Sequence, residues 1–202
     1  MPQTYVVSDW HLHHHNILKF CPNRRELFDG VEEMNAGLVE AAVNTVSPGD
    51  TLYFLGDLTF RIGTRKDEVL EALRPLADKL GAFHWIVGNH DEPTRMPQVA
   101  ALFDSVVDAV QFRIGGRQVY LSHYPLEVAP RDRLRLASIH GHHHGTVDSP
   151  PGRVDVSIDA LYGDREHFDP DYAGAPITLE TALDLAGLDL RAPYPGSGKA
   201  IT

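Results

Sequence analysis

Twelve histidines occur in this chain of 202 residues, and ten of them fall in four places. These are His11, His13, His14 and His15; His90; His123; and His140, His142, His143 and His144. A solvated origin would scatter them. Imidazoles gathered this way, with carboxylates among them, point to metal or acid–base chemistry. Asp9 and His11 follow a short β-type run, Tyr5-Val6-Val7, and Asp57 follows a second, Leu52 to Leu55. Asn89, His90 and Asp91 follow a third, Phe83 to Val87. His123 follows a fourth, and His142 with His144 a fifth. In an open α/β sheet, ligands bind beyond the carboxyl ends of the strands, so these residues can meet in one crevice. Asp9 with His11, and His142 with His144, stand at i and i+2, which in extended backbone point to one side. Trp10 and His143 then point away.

The donors Asp9, His11, Asp57, Asn89, His123, His142 and His144 are oxygen and imidazole, with no thiolate. Such a set suits divalent Mn, Fe, Zn, Co or Ni and disfavours a structural cysteine-type zinc site. It is too large for one catalytic ion with an open position. It suits two ions about 3.5–4 Å apart with one carboxylate between them. Gly56, Gly88 and Gly141 are expected to let the backbone turn tightly beside the ions.

The elements that must position these residues follow from periodicity and punctuation. Asp29 and Glu32 form a capping-box pattern before a helix from about Val31 to Val46, with Met34, Leu38, Ala41 and Ala42 on its apolar face. Ser47 to Asp50 is a turn. Thr64 with Asp67 caps a second helix, with Val69, Leu70, Leu73, Leu76 and Leu80 inward, a kink at Pro75 and a stop at Gly81. The first half thus reads βαβαβ, a mostly parallel sheet with flanking helices. Val106 to Ile114, Gly115-Gly116 and Gln118 to Leu121 predict a hairpin. Ser138 to His140 and Val154 to Ile158 predict further strands. The stretch from Leu161 to Ala175 reads as a loop, Thr178 to Ala186 as a short helix, and 193–202 as a tail.

Taken in order, Asp9-Trp10-His11, Gly56-Asp57, Gly88-Asn89-His90-Asp91, the lone His123 and Gly141-His142-His143-His144 resemble the signature of the calcineurin-like metallophosphoesterase superfamily. Ser8 to His11, His14, Asn16-Ile17 and Lys19-Phe20-Cys21 resemble a narrower group of small bacterial and phage phosphoesterases. An Arg closely follows that Cys in the group, and here Pro22-Asn23-Arg24-Arg25 carries what looks like a one-residue insertion. The resemblance implies one α/β domain over residues 1–192: two facing mixed β-sheets flanked by helices, in four layers. It implies that Asp9, His11, Asp57 and His144 hold one metal. Asp57, Asn89, His123 and His142 hold the other, with Asp57 as the bridge. It makes His90 the general acid and Asp91 the group that orients the His90 ring. His14, Asn16, Arg24 and Arg25 are candidate substrate contacts.

The implied reaction is phosphoester hydrolysis by a hydroxide that bridges two ions, with manganese the expected metal. Two divalent ions, two aspartates and one hydroxide leave a surplus of one positive charge. That surplus matches the single charge of a phosphodiester, so a small phosphodiester or cyclic nucleotide is the preferred substrate. A phosphomonoesterase or protein phosphatase, a nuclease, and an inactive metal-binding module are the alternatives.

Composition narrows the field. Eighteen Lys plus Arg against 28 Asp plus Glu give a net charge of −10, which disfavours broad nucleic-acid binding. No apolar run approaches the roughly 18 residues of a membrane span. The start of the chain shows no secretory pattern, and the single Cys21 allows no internal disulfide; a cytoplasmic setting is expected. Cys21 reads as buried packing. His13 and His15 read as exposed loop residues, His140 as partly buried, and His84 and His167 as structural. Arg131 to Arg135 read as a solvated charged face, and Asp159 as a support for the metal site or the last strand.

Overall fold

Apolar runs that stop at Ser, Gly or Asp fold as strands whose ends supply the loops of interest. The computed structural model describes residues 1–60, 65–133, 135–163, 174–188 and 190. Its strands are β1 (Thr4–Val7), β2 (Thr51–Phe54), β3 (Ala82–Ile86), β4 (Ser105–Val107), β5 (Ala109–Ile114), β6 (Arg117–Ser122), β7 (Leu136–His140), β8 (Arg153–Asp155) and β9 (Ile177–Thr178). Its helices are α1 (Ile17–Phe20), α2 (Val31–Thr45), α3 (Lys66–Lys79), α4 (Pro97–Ala100), α5 (Ile158–Gly163) and α6 (Leu179–Leu185). The first sheet runs β4-β3-β2-β1-β9; β1 to β4 are parallel, and β9 is antiparallel to β1. The second runs β5-β6-β7-β8, antiparallel at β5–β6 and parallel beyond. The chain is mixed α/β, with two mixed sheets flanked by helices.

Alternation along the parallel strands divides the core. Tyr5, Val7, Leu52, Phe54, Phe83 and Trp85 pack with Met34, Leu38 and Ala42 of α2 and with Val69, Leu73 and Leu76 of α3. Val6, Leu55 and Ile86 face the other way, where they meet Val119, Leu121, Ala137 and Ile139 of the second sheet and Ala182 and Leu183 of α6. Strands buried on both faces read as continuous apolar runs, as these do.

Several boundaries differ from the sequence expectation. Val106 to Ile114 is two strands, because the chain leaves the first sheet at exposed Asp108 and enters the second. Val154 to Ile158 is not one strand either. The Asp155 carboxylate accepts from Ser157 N at 2.9 Å, which turns the chain, and Ile158 opens α5. Leu161 to Gly163 are therefore helical, and β9, two residues long, was not anticipated. At the start of α2, Glu33 rather than Glu32 reaches back, accepting from Asp29 N at 2.7 Å, and Gly30 occupies the cap position. Ala41 and Leu70 are half-buried. Thr64, residues 164–173 with His167, and the 193–202 segment lie outside the described residues. No helix among the described residues is long and apolar enough to cross a membrane.

Ile139 is fully buried where the two sheets meet. Ile139→Ala should lower unfolding stability by about 2–5 kcal/mol in urea titration. A loss below about 1 kcal/mol would place that side chain outside a packed core.

Candidate metal centre

The loops after β1 and β2 continue side by side beyond the sheet. Asp9 N donates to Gly56 O at 3.0 Å, His11 N to Asp57 O at 2.9 Å and Leu12 N to Leu58 O at 3.0 Å. Their backbone is not extended, contrary to the i, i+2 argument. Asp9, His11, Asp57, His142 and His144 all have positive φ, between 51° and 73°. That region disfavours residues with a Cβ and costs of order 1–3 kcal/mol each, so such residues persist only where the surroundings enforce them. Among the described residues, five of the six non-glycine positions with positive φ are candidate metal ligands, and the sixth is His13. Trp10 turns inward as expected, with its ring 5.0 Å from that of Phe54.

All seven donors reach one place. His11 Nε2 lies 3.2 Å from His144 Nε2, 3.8 Å from Asp9 Oδ1 and 3.4 Å from Asp57 Oδ2. His144 Nε2 lies 3.4 Å from Asp9 Oδ1. On the other side, Asn89 Oδ1 faces His123 Nε2 and His142 Nδ1, each at 2.9 Å. His123 Nε2 stands 3.5 Å from Asp57 Oδ2. Both groups include one oxygen of Asp57, and Asp9 stands within 4.8 Å of His123 as well. The other oxygen of Asp57 accepts from His90 N at 2.9 Å.

Second contacts fix the rings. His123 donates from Nδ1 to Leu55 O at 2.9 Å, which leaves Nε2 as an acceptor toward the centre. His144 donates from Nδ1 to Asp159 Oδ2 at 2.6 Å, which turns its Nε2 toward the centre. Asp159 is itself gripped by Arg24, Nε to Oδ1 at 2.9 Å and Nη2 to Oδ2 at 2.7 Å. The same guanidinium donates to Trp10 O at 3.0 Å and Asp9 O at 2.7 Å. Arg24 is thus consumed inside the protein and is not a substrate contact, which corrects the sequence expectation. Its charge serves the loop because a buried guanidinium needs all its donors satisfied.

Asp91 also departs from its expected role. Its carboxylate accepts from Asp57 N at 2.8 Å, Leu58 N at 2.9 Å, Gly88 N at 2.8 Å and Trp85 Nε1 at 3.0 Å. It ties the second loop to the third and does not orient the His90 ring. The glycines act in two ways. Gly56 has φ of 90° and a Cβ there would also strike Gly88 and His123, while a Cβ on Gly88 would strike Asp57, and one on Gly141 would strike Ser8 and Asp9. The latter two are needed for close approach rather than for turning. His142 N then donates to Asp9 Oδ2 at 3.1 Å.

The electrostatics call for positive charge at the centre. Burial raises the Asp9 carboxyl to about 7 against the pull of His144 and His123. Burial likewise lifts Asp91 to about 6, against the hydrogen bond from Gly88. Burial, then the charge of Arg24, pushes the His11 imidazole well below its usual range. Burial also opposes charge on His144, but the hydrogen bonds to Asp159 and Cys21 and the charge of Asp9 hold it at about 10. Imidazole nitrogens, an amide oxygen and two carboxylates converge here, and with the proton of His144 released this set of oxygen and nitrogen donors fits divalent cations.

A cavity of about 680 Å³ opens over the site, lined by His11, His90, His142 and His144 among others. His90 is 38% exposed, with Nε2 3.9 Å from Asp57 Oδ2. His14 lines the cavity and stacks on Phe60 at 3.8 Å. Asn16 and Arg25 are exposed and lie outside the cavity lining. His143 lines the cavity instead of pointing away. His13 is half-buried, with Nδ1 3.1 Å from Asn35 Nδ2 and 3.0 Å from Arg65 Nη1; His15 is exposed. Buried His140 donates from Nδ1 to Gly141 O at 2.7 Å, and half-buried His84 pairs with Ser105 Oγ at 2.9 Å. Cys21 is buried as expected, yet its Sγ is 3.5 Å from His144 Nδ1. The Arg24–Asp159 clamp is what sequence reasoning missed; the signals were Arg24 behind Cys21 and an Asp just past the last predicted strand.

Comparisons with known proteins bear on the family and the fold. A family model described as the calcineurin-like phosphoesterase superfamily domain matches residues 3–156. The chain is 34% identical over 170 residues to an uncharacterised protein of Methanocaldococcus jannaschii, covering 80% of this chain and 84% of that one. It is 32% identical over 172 residues to the Gene 66 protein of Mycobacterium phage L5, covering 73% and 80%. A solved structure of a protein of unknown function from Aquifex aeolicus superposes with a TM-score of 0.61 at 22% identity, covering 92% of this chain and all of that one. That last likeness concerns the fold.

Arg24 and Asp159 have side chains 0% and 3% exposed. Arg24→Met strands a buried carboxylate and should cost about 3–5 kcal/mol in urea unfolding. Arg24→Met combined with Asp159→Leu should recover part of that loss. A single-variant loss below about 1 kcal/mol would show that the pair does not hold the loops.

Proposed function

The chain belongs to the calcineurin-like phosphoesterase superfamily, and from that premise we propose that it hydrolyses a small, singly charged phosphodiester at a pair of divalent ions. The observation that carries this reading is the gathering of seven donors in two groups that both include Asp57 Oδ2. Asp9, His11, Asp57 and His144 would hold one ion, and Asp57, Asn89, His123 and His142 the other. Manganese is the first candidate. When bound, such ions lower the pKa of water toward neutrality and offset charge on the phosphoryl oxygens.

The residues of the chain do the rest. Leu55 O and Asp159 keep His123 and His144 in the tautomers that present Nε2. His90, partly exposed at the cavity, is placed to protonate the departing ester oxygen, a contribution of roughly 10²–10⁴-fold. Phe60 lies edge-on to the His90 ring at 4.9 Å and limits its rotation. The diester preference rests on charge. With Arg24 committed to Asp159, no Lys or Arg lines the cavity among the described residues, so a second phosphate charge would have only imidazole groups such as protonated His90 to meet.

Manganese-loaded protein should therefore turn over bis-p-nitrophenyl phosphate faster than p-nitrophenyl phosphate, and chelation should abolish both activities. A strong preference for the monoester would contradict the diesterase reading. His90→Ala should lower kcat on an alkyl diester by roughly 10²-fold or more. The loss should be smaller on the p-nitrophenyl diester, whose leaving group departs without a proton. Equal losses on the two substrates would remove His90 from the role of general acid.

A further inference from the structure

We infer, resting on the diesterase reading above, that Phe20 and the apolar wall beside it form a subsite for a planar aromatic ring carried by the diester, with a nucleobase as the chemical class. The cavity has two characters. Its floor is the imidazole cluster, and one wall is Ile17, Phe20, Pro22 and Phe60. Phenylalanine is ordinarily buried, yet Phe20 is 70% exposed.

Local structure accounts for this placement. The single turn of α1 buries Ile17 and Leu18, which anchors it and leaves Phe20, its last residue, projecting at the cavity. The Phe20 ring lies 5.9 Å from that of His14, which stacks on Phe60 with its plane 16° off parallel. A run of flat surfaces therefore leads from the exposed rim toward His90 and the metal ligands.

The chemistry of the wall selects its occupant. A polyanionic group would find no Lys or Arg among the described lining residues. An aliphatic alcohol would gain little from flat ring faces. A planar ring gains by stacking and removes the exposed face of Phe20 from water. A cavity of about 680 Å³ lies within the range that encloses a nucleotide-sized ligand.

The test compares two five-membered cyclic diesters with the same reacting group, adenosine 2′,3′-cyclic phosphate and glycerol 1,2-cyclic phosphate. Only the first carries a base. With manganese-loaded full-length protein, kcat/KM should favour the adenosine ester by roughly tenfold or more. In Phe20→Ala that ratio should fall toward one, and in Phe20→Trp it should return. Phe20 is exposed, so its truncation leaves the core intact, and thermal unfolding verifies this for each variant. Turnover of bis-p-nitrophenyl phosphate without preference for the adenosine ester would overturn the subsite alone. So would a preference that survives Phe20→Ala. No turnover of any diester would instead overturn the diesterase reading and this inference with it.

Discussion

Lone pairs that face one another inside a folded protein repel unless a proton or a cation lies between them. This constraint governs the loops of the present chain. Asp57 sends one carboxylate oxygen toward both His11 and His123, while Asn89 presents a single oxygen to two imidazoles. Burial pushes Asp9 up to about 7 even against the pull of His144 and His123. Divalent ions would relieve this crowding, and much of the surrounding structure is devoted to keeping the donors in place.

Three devices do the holding, and each acts through different physics. Left-handed backbone at five candidate ligands aims side chains that extended backbone would send elsewhere. The Asp91 carboxylate, taking four donors, fastens the loop after β2 to that after β3. The buried Arg24–Asp159 pair fastens the loop after β1 to α5 and sets the His144 ring. Gly88 and Gly141 allow these loops to approach without a Cβ between them. Conformational strain, hydrogen bonding and charge pairing thus converge on one small volume.

The convergence of the seven candidate donors was legible in the sequence because metal chemistry restricts residue type, and parallel strands fix where loops emerge. The βαβαβ order was legible from periodicity alone. What was not legible depends on contacts distant in sequence. Nothing local distinguishes an Arg24 that binds phosphate from one that binds Asp159, 135 positions away. Asp91 sits beside His90, so a partnership looked natural, but three backbone amides and Trp85 claim its oxygens first. The change of sheet at Asp108 escaped notice because β-type residues stand on both sides of it with no Gly or Pro between them. The i, i+2 argument reached the right convergence from the wrong backbone, since Asp9 and His11 turn through positive φ.

The central claim is that these donors form one dinuclear centre with Asp57 shared between its halves. The most direct measurement is metal content and position in one preparation: elemental analysis of manganese-loaded protein, with anomalous diffraction to locate the ions. The account predicts two ions per chain, about 3.5–4 Å apart, both within bonding distance of Asp57. It also predicts that Asp57→Asn, still folded, loses at least one of them. A single ion at saturation, or two ions that do not share Asp57, would contradict it.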